Sequence, residues 1–328
     1  MEILVLGHDT VTALLTVEDC IPIMRETLTA LARGEGHLPL RSVVRPPGLD
    51  GFLALMPGYV GGEDPVLGMK FLGIFPGNPA IGKDAHQGLV LLLSPKTGEP
   101  MAVVDASAVT AVRTAAVSAV ATEVLARVDA TELTIFGIGV QGGWHARAIA
   151  AVRPLTRVRL VGRNVAQGNA LADKLYEELA VPVEFTTDGR AALEGAEIVV
   201  TATTSTTPVL ERGWLAPGTH INAVGSAVPH ARELDTATVV DSLFVVDRRD
   251  STLAESGDYL MAAGEAGFGP ERIHAELGDV LAGAAAGRSH DDEITVFKSL
   301  GLAIEDLAAA SYLYEVAQRL GAGTRAPF

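Results

Sequence analysis

The chain contains a single cysteine, Cys20, which excludes an intrachain disulfide and fits a reducing, cytoplasmic compartment. Cations are also scarce: 25 Lys and Arg stand against 40 Asp and Glu, for a formal net charge of -15. Nucleic acid is therefore not an expected partner, because phosphate binding needs clustered positive charge. Long apolar runs are missing too. Stretches without a charged residue, such as 213–231, are broken by Pro, Gly, His and Asn, so no membrane partner is expected. The start, MEILVLGHDT, has an acid at Glu2 and only a short apolar run, unlike a secretory leader. The eight histidines form neither HExxH nor a close pair, and beside one cysteine they support no metal site. No GxSxG elbow and no internal repeat occur. With 328 residues, 48% of them hydrophobic, the chain can still bury a large core, enough for about two domains.

The stretch from Leu133 to Ile149 carries the strongest signal. Four apolar residues, Leu133 to Phe136, lead into Gly137, Gly139 and Gly142 at G-x-G-x-x-G spacing, and a helical pattern follows. That order of strand, glycine turn and helix is the context a dinucleotide site requires. The first glycine permits the tight turn, the second lets the backbone approach a pyrophosphate, and the third lets the helix pack on the strand. Val140 and Gln141 complete the turn.

Before this stretch, Thr16 caps a helix whose apolar positions Val17, Ile21, Met24, Leu28 and Leu31 share one face. From Leu38 to Asp105 short apolar runs (52–56, 69–74, 89–93, 101–104) alternate with Pro and Gly turns, the pattern of a largely antiparallel sheet. Three cations sit oddly here: Arg41, Lys70 and Arg113, the last on a helix of small residues, 107–127. No carboxylate lies within a helical turn of Arg113, and an unpaired buried guanidinium is too costly to keep. A substrate carboxylate held bidentately is one answer, and a structural ion pair, to Asp105 for example, is the other. Spacing leaves both open.

After Asp129 strands and helices alternate. Candidate strands are 133–136, 157–161, 183–185, 197–201, 220–224 and 244–246, which describe a doubly wound parallel sheet. The second ends at Gly162, Arg163 and Asn164. An acid at that end would hold the ribose hydroxyls of NAD, whereas an Arg accommodates the 2′-phosphate of NADP, so NADPH/NADP is favoured over NAD. A helical pattern resumes over 296–320.

Taken together, the motifs resemble those of the ornithine cyclodeaminase/mu-crystallin family. The residues that carry the likeness are 68–71 (GMKF), 85–88 (AHQG), 110–119 (TAVRTAAVSA), 137–141 (GIGVQ), 220–225 (HINAVG), 232–234 (REL), 255–258 (ESGD) and 295–301 (TVFKSLG). The resemblance implies an α/β fold: a Rossmann-type doubly wound parallel sheet over 118–296, and a discontinuous α+β substrate-binding and dimerisation domain, 1–117 with 297–328. It implies a homodimer, with substrate bound between the first domain and the nicotinamide. It also implies that Arg41, Lys70 and Arg113 surround the substrate carboxylate, and that Thr203, Ser205, Val224 and Gly225 line the nicotinamide end. His86 and Gln87 match a loop near the substrate, and Lys298 falls with the cofactor-binding set.

One departure directs the choice of reaction. Cyclodeaminases of this family carry an acid/base Asp shortly after the Asn-Ala-Val-Gly motif, where this chain has Ala227. A methyl group takes no proton, and loss of a positioned general base costs roughly 10²–10⁴-fold in rate. The mu-crystallin branch, whose members reduce cyclic ketimines, also lacks the Asp. The expected activity is NADPH-dependent reduction of a small cyclic ketimine 2-carboxylate, Δ1-pyrroline-2-carboxylate or Δ1-piperideine-2-carboxylate, with Lys70 the first candidate for proton donor and His86 a further one. The alternatives are an amino-acid cyclodeaminase or alanine dehydrogenase-like enzyme, with Asp84 for instance replacing the missing base, and an NADPH-binding protein with little catalysis.

Overall fold

The computed structural model describes residues 2–328. They divide into two compact units, 1–114 with 301–328, and 115–300. The first opens with β1 (Glu2–Leu6), α1 (His8–Leu14) and α2 (Val17–Ala32). Thr16 Oγ1 accepts the Asp19 N–H at 3.1 Å and so caps α2. Its stripe of Val17, Ile21, Met24 and Leu28 is buried, and Cys20 lies buried beside it. The short β2 (Gly36–His37) and β3 (Ser42–Val44) precede β4 (Phe52–Val60), β5 (Val66–Ile74), β6 (His86–Leu93) and β7 (Pro100–Asp105). These last four form an antiparallel meander that contains all four expected strands. Next comes α3 (Ala106–Leu125), along which the chain leaves the first unit. Among the described residues α3 alone has the length and apolarity of a membrane span, yet 83% of its apolar window is buried, as in a core helix.

The second unit runs β8 (Glu132–Phe136), α4 (Val140–Val152), β9 (Arg157–Val161), α5 (Val165–Leu179), β10 (Val183–Thr186), β11 (Ile198–Thr201), β12 (His220–Ala223), α6 (Thr236–Val240), β13 (Leu243–Val246), α7 (Arg249–Glu255), α8 (Gly257–Ala266), β14 (Ala275–Glu276), α9 (Leu277–Leu281) and β15 (Thr295–Lys298). Every strand pairing in it is parallel, and the order is β10-β9-β8-β11-β12-β15-β13-β14. The chain steps outward from β8 to β10 and returns to β11 on the other side of β8. That reversal opens a crevice at the carboxyl ends of the strands, where ligands of such sheets bind. All six expected strands are present, with bounds that differ by at most one residue. The expected helix over 296–320 is corrected: Thr295–Lys298 is a strand between β12 and β13, and the helix starts only at Ala303. A wholly buried strand shows a continuous apolar run, which a buried helix can show as well.

The chain then returns to the first unit as α10 (Ala303–Leu320) and β16 (Thr324–Pro327). The sheet there has the order β16-β1-β7-β6-β5-β4-β2, with β3 on β4. Alternate residues such as Ala54, Met56, Leu72, Val90 and Leu92 are buried on the side where α10 packs on β4, β5 and β6. Their neighbours Leu55, Met69, Phe71, Leu89, Leu91 and Val103 are apolar but only half-buried.

Candidate active site

Steric exclusion fixes the glycine turn at the end of β8. Gly137 has φ +117, and a Cβ on it would lie 2.3 Å from the Ala202 carbonyl oxygen, so no other residue fits. A Cβ on Gly142 would lie 2.0 Å from the Gly137 carbonyl oxygen, which is the close packing of α4 on the turn. Gly139 differs. Its Cβ would meet nothing of the protein within 4 Å, and as N-cap it gives α4 no side-chain hydrogen bond. The first turn of α4, Val140 to Gly142, thus begins on bare backbone facing open space, which fits a pyrophosphate at a helix N-terminus. Gln167 Nε2 donates to the Ile138 carbonyl at 3.2 Å and ties α5 to the turn. At the end of β9 a Cβ on Gly162 would lie 2.8 Å from Ile138 Cδ1, Arg163 is exposed, and Asn164 Oδ1 accepts the Gln167 N–H at 3.1 Å to cap α5.

Past β11 and β12 the loops holding Thr203, Ser205, Val224 and Gly225 are pinned from beneath. The fully buried Glu233 accepts from Thr201 Oγ1 at 2.9 Å, the Thr203 N–H at 2.6 Å and the Gly225 N–H at 2.7 Å. Val224 N–H donates to the Thr201 carbonyl at 2.8 Å. Ser205 N–H donates to Thr203 Oγ1 at 3.1 Å, and Ser205 Oγ to the Thr207 carbonyl at 2.7 Å. Glu233 is itself held by Asp258, which accepts the Glu233 and Leu234 N–H groups at 2.8 and 3.0 Å and pairs with Lys298 Nζ at 2.9 Å, both side chains 0% exposed. Burial pushes the Glu233 carboxyl up from its ordinary value, with Lys298 opposing. The stretches 232–234, 255–258 and 295–301 thereby converge in one network, a convergence that sequence reasoning did not find. Lys298, grouped with the cofactor residues on sequence, is buried and joins this network through Asp258. The only signal was the charge within these stretches, single in 295–301 (Lys298) and paired in 232–234 (Arg232, Glu233) and 255–258 (Glu255, Asp258).

In the first unit the cations come together. Lys70, on β5 and 1% exposed, donates through Nζ to Asp306 Oδ1 at 2.7 Å and to Thr110 Oγ1 at 2.7 Å. Arg113, on α3, donates from Nε to the same Asp306 oxygen at 3.0 Å and from NH1 to Glu305 Oε2 at 2.6 Å. Arg41 donates to the Gly301 carbonyl at 3.2 Å, and a Cβ on Gly301 would lie 2.8 Å from Arg113 NH1, so Arg41 and Arg113 meet at that glycine. The ion pairs of Arg113 are thus to Glu305 and Asp306 of α10. Asp105 instead accepts the Ala108 N–H at 2.8 Å and pairs with His8 at 3.3 Å.

Burial pulls Lys70 down from 10.5 to about 8, Asp306 resisting and Arg113 and Arg41 assisting. His86, exposed at the outer end of β6, is lowered by partial dehydration and then by the Lys70 charge. Gln87 beside it donates to the Asp84 carbonyl at 3.2 Å. Burial pushes the Cys20 thiol up to about 12, which leaves it unreactive. With Lys70 protonated, the cluster sets three cations beside two carboxylates. Its net positive charge suits a small carboxylate ligand.

The chain is 40% identical over 275 residues to a Δ1-pyrroline-2-carboxylate reductase of Bacillus cereus, with 84% of each chain covered. It is 37% identical over 298 residues to the ketimine reductase mu-crystallin of Mus musculus, covering 90% of this chain and 91% of that one. Among solved structures, Thermococcus litoralis Δ1-pyrroline-2-carboxylate reductase in complex with NADH and L-proline matches with a TM-score of 0.95 at 35% identity, over 98% of this chain and 99% of that one. The model of the ornithine cyclodeaminase/mu-crystallin family matches residues 1–320, and the chain belongs to that family.

Proposed function

We propose that this protein is an NADPH-dependent reductase of small cyclic ketimine 2-carboxylates, Δ1-pyrroline-2-carboxylate or Δ1-piperideine-2-carboxylate, yielding the cyclic L-amino acid. The observation that carries the proposal is the cluster of Lys70, Arg113 and Arg41 with its net positive charge. The relatives named above, reductases of such imines, support the same substrate class. The dinucleotide, when bound, supplies the hydride. Residues 137–142 would hold its pyrophosphate, the loops of Thr203, Ser205, Val224 and Gly225 would hold its nicotinamide end, and Glu233, Asp258 and Lys298 would keep those loops in place.

Arg41 and Arg113 orient the substrate carboxylate, and Lys70 holds the proton for the imine nitrogen. Among the described residues two acceptors take Lys70 N–H groups, Thr110 and Asp306, so a third N–H is left for substrate. An ammonium with a pKa near 8 is well matched to protonating an imine near neutral pH. Ala227 favours reduction over ammonia loss, since no side chain there can serve as the base. Gly162 and Arg163 support NADPH over NADH. The half-buried apolar face of the first sheet supports a homodimer formed through it, and the single buried thiol supports a cytoplasmic location.

The test is oxidation of NADPH, run beside NADH, by the purified protein with a panel of cyclic ketimine carboxylates. Turnover of one of them with preference for NADPH is expected. Absence of imine turnover together with ammonia release from ornithine, lysine or alanine would overturn the reading.

A further inference from the structure

We infer that Asp306 is a positioning residue of the site: through Oδ1 it locks the Lys70 ammonium and the Arg113 Nε in one relative placement, so that proton donor and carboxylate clamp act as a unit. The inference concerns α10, which bears no residue assigned to substrate or cofactor, and it rests on the function proposed above.

The geometry is specific. One carboxylate oxygen receives both cations, at 2.7 and 3.0 Å, while Oδ2, also buried, has no hydrogen-bond partner among the described residues. An acid that served only to anchor the helix start would be satisfied by backbone amides. Glu305 does anchor the helix start, its Oε2 accepting the Leu302 N–H at 3.1 Å as well as Arg113 NH1. Asp306 is shared between two cations instead, and a shared acceptor couples them: any displacement or proton loss at Lys70 alters the oxygen that holds Arg113 Nε.

The charged groups that face Lys70 are Asp306 of α10, Arg113 of α3, Arg41 ahead of β3 and His86 of β6. Cys20 of α2 senses Arg113 and the two carboxylates but stays neutral. Of these groups Asp306 is the one that favours the protonated amine, and it is the largest charge acting on Lys70. Asp306 touches Lys70 directly and Glu305 reaches it through Arg113, so the two acids should differ in the size of their effect.

The experiment is NMR of the full-length protein with lysine labelled at Cε, five signals that a Lys70→Arg variant assigns. In the unaltered protein the Lys70 signal should titrate near 8, and the Arg113 Nε resonance should follow it with the same midpoint. In Asp306→Asn the Lys70 midpoint should fall by one unit or more, at least about a tenfold loss of proton affinity, whereas Glu305→Gln should lower it less. An Arg113 Nε resonance indifferent to the Lys70 titration overturns the inference without any variant, and equal midpoints in the two acid variants overturn it as well. Steady-state kinetics supply a second readout. Asp306→Asn should raise KM for the imine and move the alkaline limb of kcat/KM downward, and Glu305→Gln should raise KM and move the limb less. If the unaltered protein reduces no imine, the proposed function fails, while the Lys70 and Arg113 resonances still decide the coupling through Asp306.

Discussion

Replacing Arg113 by alanine should damage stability before it reports on substrate binding. Arg113 is an ion-pair partner of Glu305 and of Asp306, and both carboxylates are 0% exposed. Removing one member of a buried pair leaves a charge without compensation, at about 3–5 kcal/mol. Asp306 keeps Lys70 at 2.7 Å and Glu305 keeps the Leu302 N–H at 3.1 Å, so the loss should lie toward the lower end of that range. For a unit of this size each kcal/mol lowers the melting temperature by roughly 3 °C, so a fall of about 9–12 °C is expected. The assay is thermal unfolding followed by far-ultraviolet circular dichroism, since both tryptophans, Trp144 and Trp214, lie in the other unit. Pairing Arg113→Ala with Glu305→Gln should recover part of the loss, because a buried carboxylate is neutralised together with the cation it faced. A single variant that melts within about 2 °C of the parent protein would refute the reasoning, as would a double variant less stable than the single. Kinetics of Arg113→Ala are to be read below its melting range. There kcat/KM should fall by the roughly 2–5 kcal/mol that truncating a buried charged contact costs.

Three further outcomes are expected. Gly139→Ala should fold and melt normally, because its Cβ meets nothing of the protein within 4 Å, yet should weaken NADPH binding about tenfold or more as measured by fluorescence titration; Gly142→Ala, with its 2.0 Å clash against the Gly137 carbonyl oxygen, should be destabilised outright. With Lys70 as the acid, the active form is the protonated one, so kcat/KM should decline as pH rises through about 8, and a pH–rate profile flat across that interval would remove Lys70 from the role. Arg163→Ala should lower the NADPH to NADH ratio of kcat/KM by about tenfold; an unchanged ratio would mean that this exposed guanidinium does not meet the 2′-phosphate.

What could be read from the sequence and what could not divide along contact distance. The glycine turn was legible because strand, turn and helix are contiguous, and each glycine answers a constraint set within a few residues, such as Gly142 against Gly137. The parallel strands were legible because each is a short apolar run between turn residues. β15 was not, since Thr295–Lys298 is buried on both faces and lacks the alternation that separates a strand from a helix. The site cations were visible as isolated charges in apolar or small-residue surroundings, but their acids were not: Lys70 and Asp306 are 236 residues apart in sequence and Arg113 and Glu305 192 apart. Within α10, Glu305 and Asp306 look like the ordinary acids of a helix's first turn, where the dipole alone would favour them. Burial is what changes their meaning. An acid in a first turn is commonplace when solvated, and becomes a statement about a partner cation only once it is known to be dry. The same logic holds for Lys298, whose partner Asp258, 2.9 Å away with both groups closed to water, lies far from it in sequence. In this fold, then, sequence identifies which charges are out of place, and only the packing of distant elements decides whether such a charge faces a ligand or holds another side chain.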